Sequence, residues 1–185
     1  YTNDELLSIA SLPGMRERTI TLNGMSKAFS MTGWRMGYLV AEKNILLELY
    51  KIHARILSCL PVFVQKAAAE ALNNVPAYRA AVAGMVEQYK KRRDYLVEHL
   101  NAIPGLSCRS PEGAFYLFLN TSELGMTSHE AQDFLLREAH VATMPGATFG
   151  DGADDANVRM CYAVSFEDIV EACENIRQAV AKLKK

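Results

Sequence analysis

The feature of this sequence that most constrains its fold is a long helical pattern that starts at Pro76 and continues to about residue 103. Pro76 suits the first turn of a helix, where a missing backbone N–H leaves no intrahelical hydrogen bond unmade. Glu87 and Lys91 lie four residues apart on the polar face, and Pro104-Gly105 ends the pattern. The apolar stripe consists of Val82, Met85, Tyr89, Leu96, Leu100 and Ile103. A helix of more than 25 residues is long for one small domain, so we expect it to bridge two.

Two strands and two helices are predicted before the long helix. The segment RTITLN (18–23) is rich in β-branched residues, which is typical of a strand. The segment RMGYLV (35–40) predicts a second short strand that is largely buried. Apolar residues then recur at helical spacing over residues 42–59 and 62–73, which predicts two helices.

Shorter elements follow the long helix. The aromatic run AFYLFL (114–119) and the segment NVRMCYA (157–163) predict strands, and residues 141–144 predict a shorter one. Two capping-box patterns predict the starts of two further helices, Thr127 to Glu130 and Ser165 to Asp168.

This order of elements predicts a mixed α/β chain in three parts. Residues 1–75 form an α/β region, residues 76–103 form the bridging helix, and residues 104–185 form a small α+β C-terminal domain. No internal repeat is visible in the sequence.

Composition and charge restrict the classes of partner. A formal net charge of -1 gives no global reason to expect binding to nucleic acid or to an anionic membrane. No apolar run approaches the roughly 20 residues that a membrane-spanning helix needs, and the first residues do not resemble a signal peptide. The four cysteines contain no Cys-x-x-Cys pair and are predicted to be buried thiols in a reducing compartment. The histidines show no metal spacing. We therefore predict a cytoplasmic protein without a metal, nucleic-acid or membrane partner.

The segment NGMSKAFSMTGWRMGY (23–38) places two cations, Lys27 and Arg35, eight residues apart without a carboxylate between them. A lysine amine can attack an aldehyde and form a Schiff base. The forked donors of an arginine suit a phosphate, and nearby glycines let backbone N–H groups approach an anion. An aldehyde and a phosphate on one molecule would satisfy both residues. Spacing alone leaves open the alternative that both cations face water.

The same residues resemble the cofactor-lysine signature of class I/II aminotransferases, the aspartate aminotransferase family of fold type I pyridoxal-phosphate enzymes. The signature runs Gly or Ser, an apolar residue, a small residue and Lys, followed eight residues later by Arg, an apolar residue and Gly. Every restricted position matches in residues 24–37. Four further segments resemble family landmarks in the expected order, namely TITLNG, PEGAFY (111–116), MPGATFG (144–150) and NVRMCYA (157–163).

The resemblance implies a role for three residues. Lys27 would form a Schiff base with pyridoxal 5'-phosphate and then move a proton during catalysis. Arg35 would bind the cofactor phosphate, and Arg159 would pair with the α-carboxylate of the substrate. Without the resemblance, Arg159 would be interpreted as an exposed strand arginine. Gly24 stands where some family members carry a serine that binds the phosphate, so that hydroxyl contact is absent here.

The resemblance also implies what this chain does not contain. The family places an Asp-x-x-Tyr motif before the lysine, and its acid protonates the cofactor ring; the 26 residues before Lys27 contain no such motif. The chain therefore resembles the end of the large cofactor domain followed by the small domain, and we expect it to be inactive in isolation. The parent would exchange an amino group between an α-amino acid and a 2-oxo acid, as a homodimer. Two alternatives stay open: other α-carbon chemistry such as β-elimination, and a non-catalytic aminotransferase-like domain of a transcription regulator.

Overall fold

The computed structural model describes residues 1–2, 6–150 and 155–183 of the 185-residue chain. The chain divides into two compact units. Asn3–Gly84 forms one, called here the N-terminal unit, and Met85–Lys185 together with Tyr1–Thr2 forms the other, the C-terminal unit. None of the helices in the described residues is both long and apolar enough to cross a membrane.

The N-terminal unit contains one antiparallel strand pair and helices. Strand β1 (Thr21–Gly24) pairs with β2 (Gly37–Val40), with Gly24 opposite Gly37. A Cβ at Gly37 would lie 3.0 Å from the carbonyl oxygen of Asn23, so glycine permits this close approach. Helices α1 (Lys43–Leu57) and α2 (Val62–Asn73) follow, and α3 (Val75–Asn101) begins in this unit. Its small core consists of the buried residues Met25, Met31 and Ala68.

Burial in the N-terminal unit differs from the expectation. Strand β2 was predicted to be largely buried, but Val40 is 58% exposed, and Leu22 on β1 is 76% exposed. Ile52 and Ile56 of α1 are 59% and 78% exposed. The strand prediction for residues 18–23 is also too early, because Arg16–Arg18 forms a 3-10 turn closed by the Arg18 N–H on the Met15 carbonyl. The apolar patterns correctly predicted that these segments are helical or extended. Within the described residues, however, no second layer covers the side chains of Leu22, Val40, Ile52 and Ile56.

The C-terminal unit has a four-stranded antiparallel sheet in the order β3 (Ser107–Cys108), β4 (Tyr116–Asn120), β6 (Asn157–Cys161) and β5 (Met144–Pro145). Side chains alternate between the two faces of a strand. The buried face carries Leu117 and Leu119 from β4 and Val158 and Met160 from β6. These residues share one core with α3, α4 (Ser128–Glu138) and α5 (Phe166–Leu183). Each such side chain contributes roughly 1.5–3 kcal/mol when buried.

Both predicted capping boxes are present. The Thr127 hydroxyl accepts the Glu130 backbone N–H at 3.3 Å, and the Glu130 carboxylate accepts the Thr127 N–H at 2.9 Å. The hydrogen bonds that the Thr127 backbone N–H and hydroxyl donate to the Glu130 carboxylate lower the pKa of Glu130. Ser165 and Asp168 make the same reciprocal pair at the start of α5, at 3.0 and 3.3 Å. The predicted helix starts are therefore confirmed.

Strand bounds in this unit are shorter than predicted. The expected strand over 114–119 begins only at Tyr116, because Ala114 has a φ of 59° and cannot be extended. The expected strand over 157–163 ends at Cys161. In place of the one expected over 141–144 the structure has β5, which overlaps it only at Met144.

The prediction of four buried thiols is wrong for two of them. Cys173 is buried and Cys108 is half-buried, and burial raises the pKa of each thiol to about 11. Cys59 and Cys161 are exposed. Cys59 follows the end of α1, and Cys161 is the last residue of β6, on the strand face opposite to Met160.

Candidate active site

Lys27 and Arg35 lie in the connection between β1 and β2, which covers residues 25–36. Two buried methionines hold this loop. The Met25 N–H donates to the Met36 carbonyl at 3.0 Å, and the Met31 N–H donates to the Met25 carbonyl at 3.4 Å. Lys27 lies in the turn between them, where its carbonyl accepts the Ser30 N–H at 3.1 Å and its side chain is exposed. The loop therefore presents Lys27 at the surface on a fixed backbone.

Arg35 has a backbone conformation that is unusual for its residue type. Its φ and ψ of 51° and 44° place it in the left-handed region, at the end of the 3-10 turn Thr32–Trp34. Ser30 in the same loop also has a positive φ, 53°. A residue with a Cβ loses about 1–2 kcal/mol in this conformation. Such strain is found at functional sites, and two of the five described non-glycine residues with a positive φ, Ser30 and Arg35, lie in this loop.

The Arg35 side chain lines an open cleft. The guanidinium is exposed, and Nη1 donates to the Thr32 carbonyl at 3.0 Å. In the described part of the chain, Arg35 takes part in no ion pair. The cleft has a volume of about 520 Å³ and is lined by Ser30, Gly33, Trp34, Arg35, Leu60, Pro61, Phe63 and Val64. It thus combines one cation with an apolar wall, which suits an anionic ligand that also has apolar surface.

Arg159 lies on β6 in the C-terminal unit, on the sheet face opposite to the core. Its guanidinium carbon is 4.4 Å from the ring centroid of Tyr116 and 4.4 Å from that of Phe149. Nη2 also donates to Sδ of Met144 at 2.8 Å. The ion pairs among the described residues do not include Arg159. The side chain is half-buried and is contacted by rings and a thioether, and no carboxylate of the described residues pairs with it.

The predicted site residues thus fall into two groups. Lys27 and Arg35 share one loop of the N-terminal unit, and Arg159 belongs to the C-terminal unit. Sequence reasoning missed Phe149 and Tyr116 as neighbours of Arg159. The available signal was the two-residue alternation of β4, which puts Tyr116 and Phe118 on the face opposite to Leu117 and Leu119. In the described residues, no group of three or more His, Cys, Asp or Glu side chains could hold a metal ion.

The arrangement defines an α/β protein with an exposed lysine side chain and an exposed guanidinium on one loop. Over residues 4–176, the sequence matches the family described as aminotransferase class I and II. The chain therefore belongs to the class I and II aminotransferase family. The resemblance inferred from the Lys27 segment is confirmed.

Curated relatives agree with this family. The aspartate aminotransferase of Musicola paradisiaca is 43% identical over 178 residues, which cover 95% of this chain and 43% of that protein. The aspartate aminotransferase of Pyrococcus abyssi is 40% identical over 184 residues, covering 100% of this chain and 46% of that protein. The chain spans less than half the length of these relatives.

Solved structures support the fold class. The aromatic aminotransferase from Pyrococcus horikoshii OT3 is similar with a TM-score of 0.94 at 40% identity, covering 100% of this chain and 48% of that one. The aspartate aminotransferase from Rhizobium meliloti is similar with a TM-score of 0.89 at 34% identity, covering 98% of this chain and 46% of that one. The predicted α/β fold of a fold type I enzyme, ending in a small α+β portion, is confirmed.

Proposed function

We propose that this chain is the C-terminal portion of a pyridoxal-phosphate-dependent aminotransferase that exchanges an amino group between an α-amino acid and a 2-oxo acid. The observation that carries the proposal is the loop between β1 and β2. It displays Lys27 and Arg35 at the eight-residue spacing of the family signature, and Arg35 lines a cleft. Family membership supports the same activity.

The residues of this loop fit the proposed cofactor. Lys27 would supply the amine of the Schiff base that holds the cofactor aldehyde. Arg35 would bind the phosphate through its forked donors, which are exposed apart from the Nη1 bond to Thr32. When bound, pyridoxal phosphate withdraws electrons from the α-carbon of the substrate. Lys27 Nζ would take up the proton that leaves this α-carbon.

Arg159 would bind the α-carboxylate that amino acids and 2-oxo acids share. Its guanidinium has donors in a planar fork that matches a carboxylate. The absence of a carboxylate partner among the described residues supports this role. A group that reads only the shared carboxylate does not select among side chains, so Arg159 alone would accept several amino acids.

The organisation of the parent protein is part of the proposal. Residues 1–75 would complete the large cofactor domain, 76–103 would bridge, and 104–185 would form the small domain; the parent would be a cytoplasmic homodimer. The isolated chain would be inactive, because the family acid that protonates the cofactor ring lies before the lysine and no Asp-x-x-Tyr motif precedes Lys27 here. Sustained transamination by the 185-residue chain would contradict this part.

Reductive labelling tests the role of Lys27. The chain is incubated with pyridoxal phosphate, reduced with borohydride and digested, and pyridoxyl-lysine peptides are quantified by mass spectrometry. We expect labelling to concentrate at Lys27 and a visible absorbance band that is lost in Lys27→Ala. Lys66→Ala is the matched control, since Lys66 is an exposed lysine of α2 in the same unit. Equal labelling of Lys27 and Lys66, or a band that survives in Lys27→Ala, would refute the assignment.

A further inference from the structure

The guanidinium of Arg159 has aromatic rings as near neighbours from two different elements. Tyr116 comes from β4 and Phe149 from the 3-10 turn Gly146–Phe149, and each ring centroid is 4.4 Å from the guanidinium carbon. Phe118, directly opposite Arg159 in the β4–β6 register, contacts Phe149 edge-on with centroids 5.8 Å apart. A cation at such distances is attracted by the negative faces of the rings. The rings therefore fix where the guanidinium lies.

Fixing the guanidinium favours ligand binding, because a mobile arginine side chain loses conformational entropy when a ligand holds it. An arginine has roughly 2 kcal/mol of rotamer entropy, part of which is lost when it binds a ligand. The Nη2 bond to Met144 Sδ at 2.8 Å adds a further restraint. With the ring faces and this thioether as neighbours, the guanidinium is ordered before a ligand arrives, and its remaining N–H donors are left for a carboxylate.

The position of Phe149 is itself supported by a polar network. The buried Ser128, the first residue of α4, accepts the Ala147 N–H on its hydroxyl at 3.4 Å. The Asp155 carboxylate in turn accepts the Ser128 N–H at 3.1 Å and the Ser128 hydroxyl at 3.0 Å. Gly146 is buried at the start of the turn. The turn that carries Phe149 is thus tied to the start of α4.

We propose that Phe149, together with Tyr116, is a positioning residue that orders the Arg159 guanidinium for carboxylate binding. This inference rests on the proposed role of Arg159 as the carboxylate-binding residue. It adds that the aromatic ring at position 149 acts on the ligand through Arg159. Phe149 is 44% exposed, so its ring is not required to fill the core.

The test measures acetate binding to the 185-residue chain by NMR of the arginine side-chain N–H groups. In the unsubstituted chain, we expect the Arg159 signals to be displaced by the ring currents and to respond to acetate. Phe149→Leu removes the ring but keeps apolar bulk, and we expect about fivefold weaker binding, as for the loss of one cation–π contact. Phe149→Tyr keeps the ring and should bind within about twofold of the unsubstituted chain. Tyr116→Leu provides a second ring deletion with the same expected direction.

The outcomes separate the two proposals. If the Arg159 signals of the unsubstituted chain do not respond to acetate, the carboxylate-binding role fails and the positioning role fails with it. If they respond but Phe149→Leu and Tyr116→Leu bind acetate as well as the unsubstituted chain, only the positioning role is overturned. Weaker binding in both Phe149→Leu and Tyr116→Leu that Phe149→Tyr does not share supports it, because the two deletions each remove a ring at a different position and Phe149→Tyr keeps its ring.

Discussion

Tyr162 is a fully buried tyrosine in the C-terminal unit, and replacing it by phenylalanine tests the energetics assigned to this core. Its hydroxyl donates to the Ala114 carbonyl at 3.3 Å and lies 3.4 Å from the Tyr1 hydroxyl. The Tyr1 hydroxyl also donates to the Ala114 carbonyl. Tyr162→Phe removes one hydroxyl and keeps the ring.

The loss of stability expected for Tyr162→Phe at pH 7 is small. A neutral hydrogen bond contributes about 0.5–1.5 kcal/mol net, and the full cost of an orphaned partner arises only when that partner loses all its bonds. The Ala114 carbonyl keeps its bond from Tyr1 after the substitution. We therefore expect Tyr162→Phe to lower the free energy of unfolding by about 1 kcal/mol.

The difference in stability between Tyr162→Phe and the unsubstituted chain should change sign with pH. Burial, followed by the hydrogen bond with Tyr1, raises the pKa of Tyr162 far above its ordinary value. An unfolded tyrosine ionises near pH 10, whereas the folded one stays neutral, so the stability that Tyr162 contributes is complete below about pH 10 and is lost above it. The Tyr162→Phe variant has no ionisable hydroxyl at this position, so its stability does not fall for this reason. The two stability curves should converge and then cross as the pH rises above about 10.

The assay is urea unfolding at several pH values, followed by methyl NMR signals of Leu117 and Val158, which lie in the same core. The control is Tyr95→Phe, since no hydrogen bond from the Tyr95 hydroxyl occurs within the described residues; it should match the unsubstituted chain at pH 7. A loss above about 3 kcal/mol for Tyr162→Phe at pH 7 would refute the shared-acceptor argument. A stability difference that stays constant up to pH 11 would refute the ionisation argument.

Three further predictions concern the same chain. Leu100→Ala should lower the free energy of unfolding by about 2–5 kcal/mol in the same urea assay, because Leu100 is fully buried on α3. His140→Gly should raise it by about 0.5–1 kcal/mol, because His140 follows α4 with a φ of 56°, where glycine carries no Cβ penalty. Ellman's reagent should modify the exposed Cys59 and Cys161 before the buried Cys173, as followed by absorbance and peptide mapping.

The sequence was most informative where a local signal has a local cause. The capping boxes predicted the starts of α4 and α5 because each is a reciprocal bond between residues three apart. The helix over 62–73 was predicted with its observed bounds, since Pro61 and the apolar spacing define it locally. The family signature was equally local, so the segment with Lys27 and Arg35 could be recognised without a structure.

The sequence was least informative where long-range contacts decide. The pattern of β2 could not reveal that Val40 is 58% exposed, because exposure depends on whether another layer covers the strand. The side chains that surround Arg159 could not be predicted for a similar reason. Tyr116, Met144 and Phe149 lie 43, 15 and 10 residues before it, and only sheet pairing and a turn bring them together.

The two candidate arginines, one in each unit, are held by different physical means. Arg159 has an ordinary strand backbone paired on both sides, by β4 and by β5, so only its side chain needs ordering, and the rings of Tyr116 and Phe149 provide this. At Arg35, by contrast, the backbone is the unfavourable part, because it occupies a left-handed conformation that costs about 1–2 kcal/mol. The buried methionines Met25 and Met31 on the same loop offset this cost by packing. Sequence changes that weaken the proposed anion binding should therefore act through the side-chain surroundings at Arg159 and through the loop backbone at Arg35.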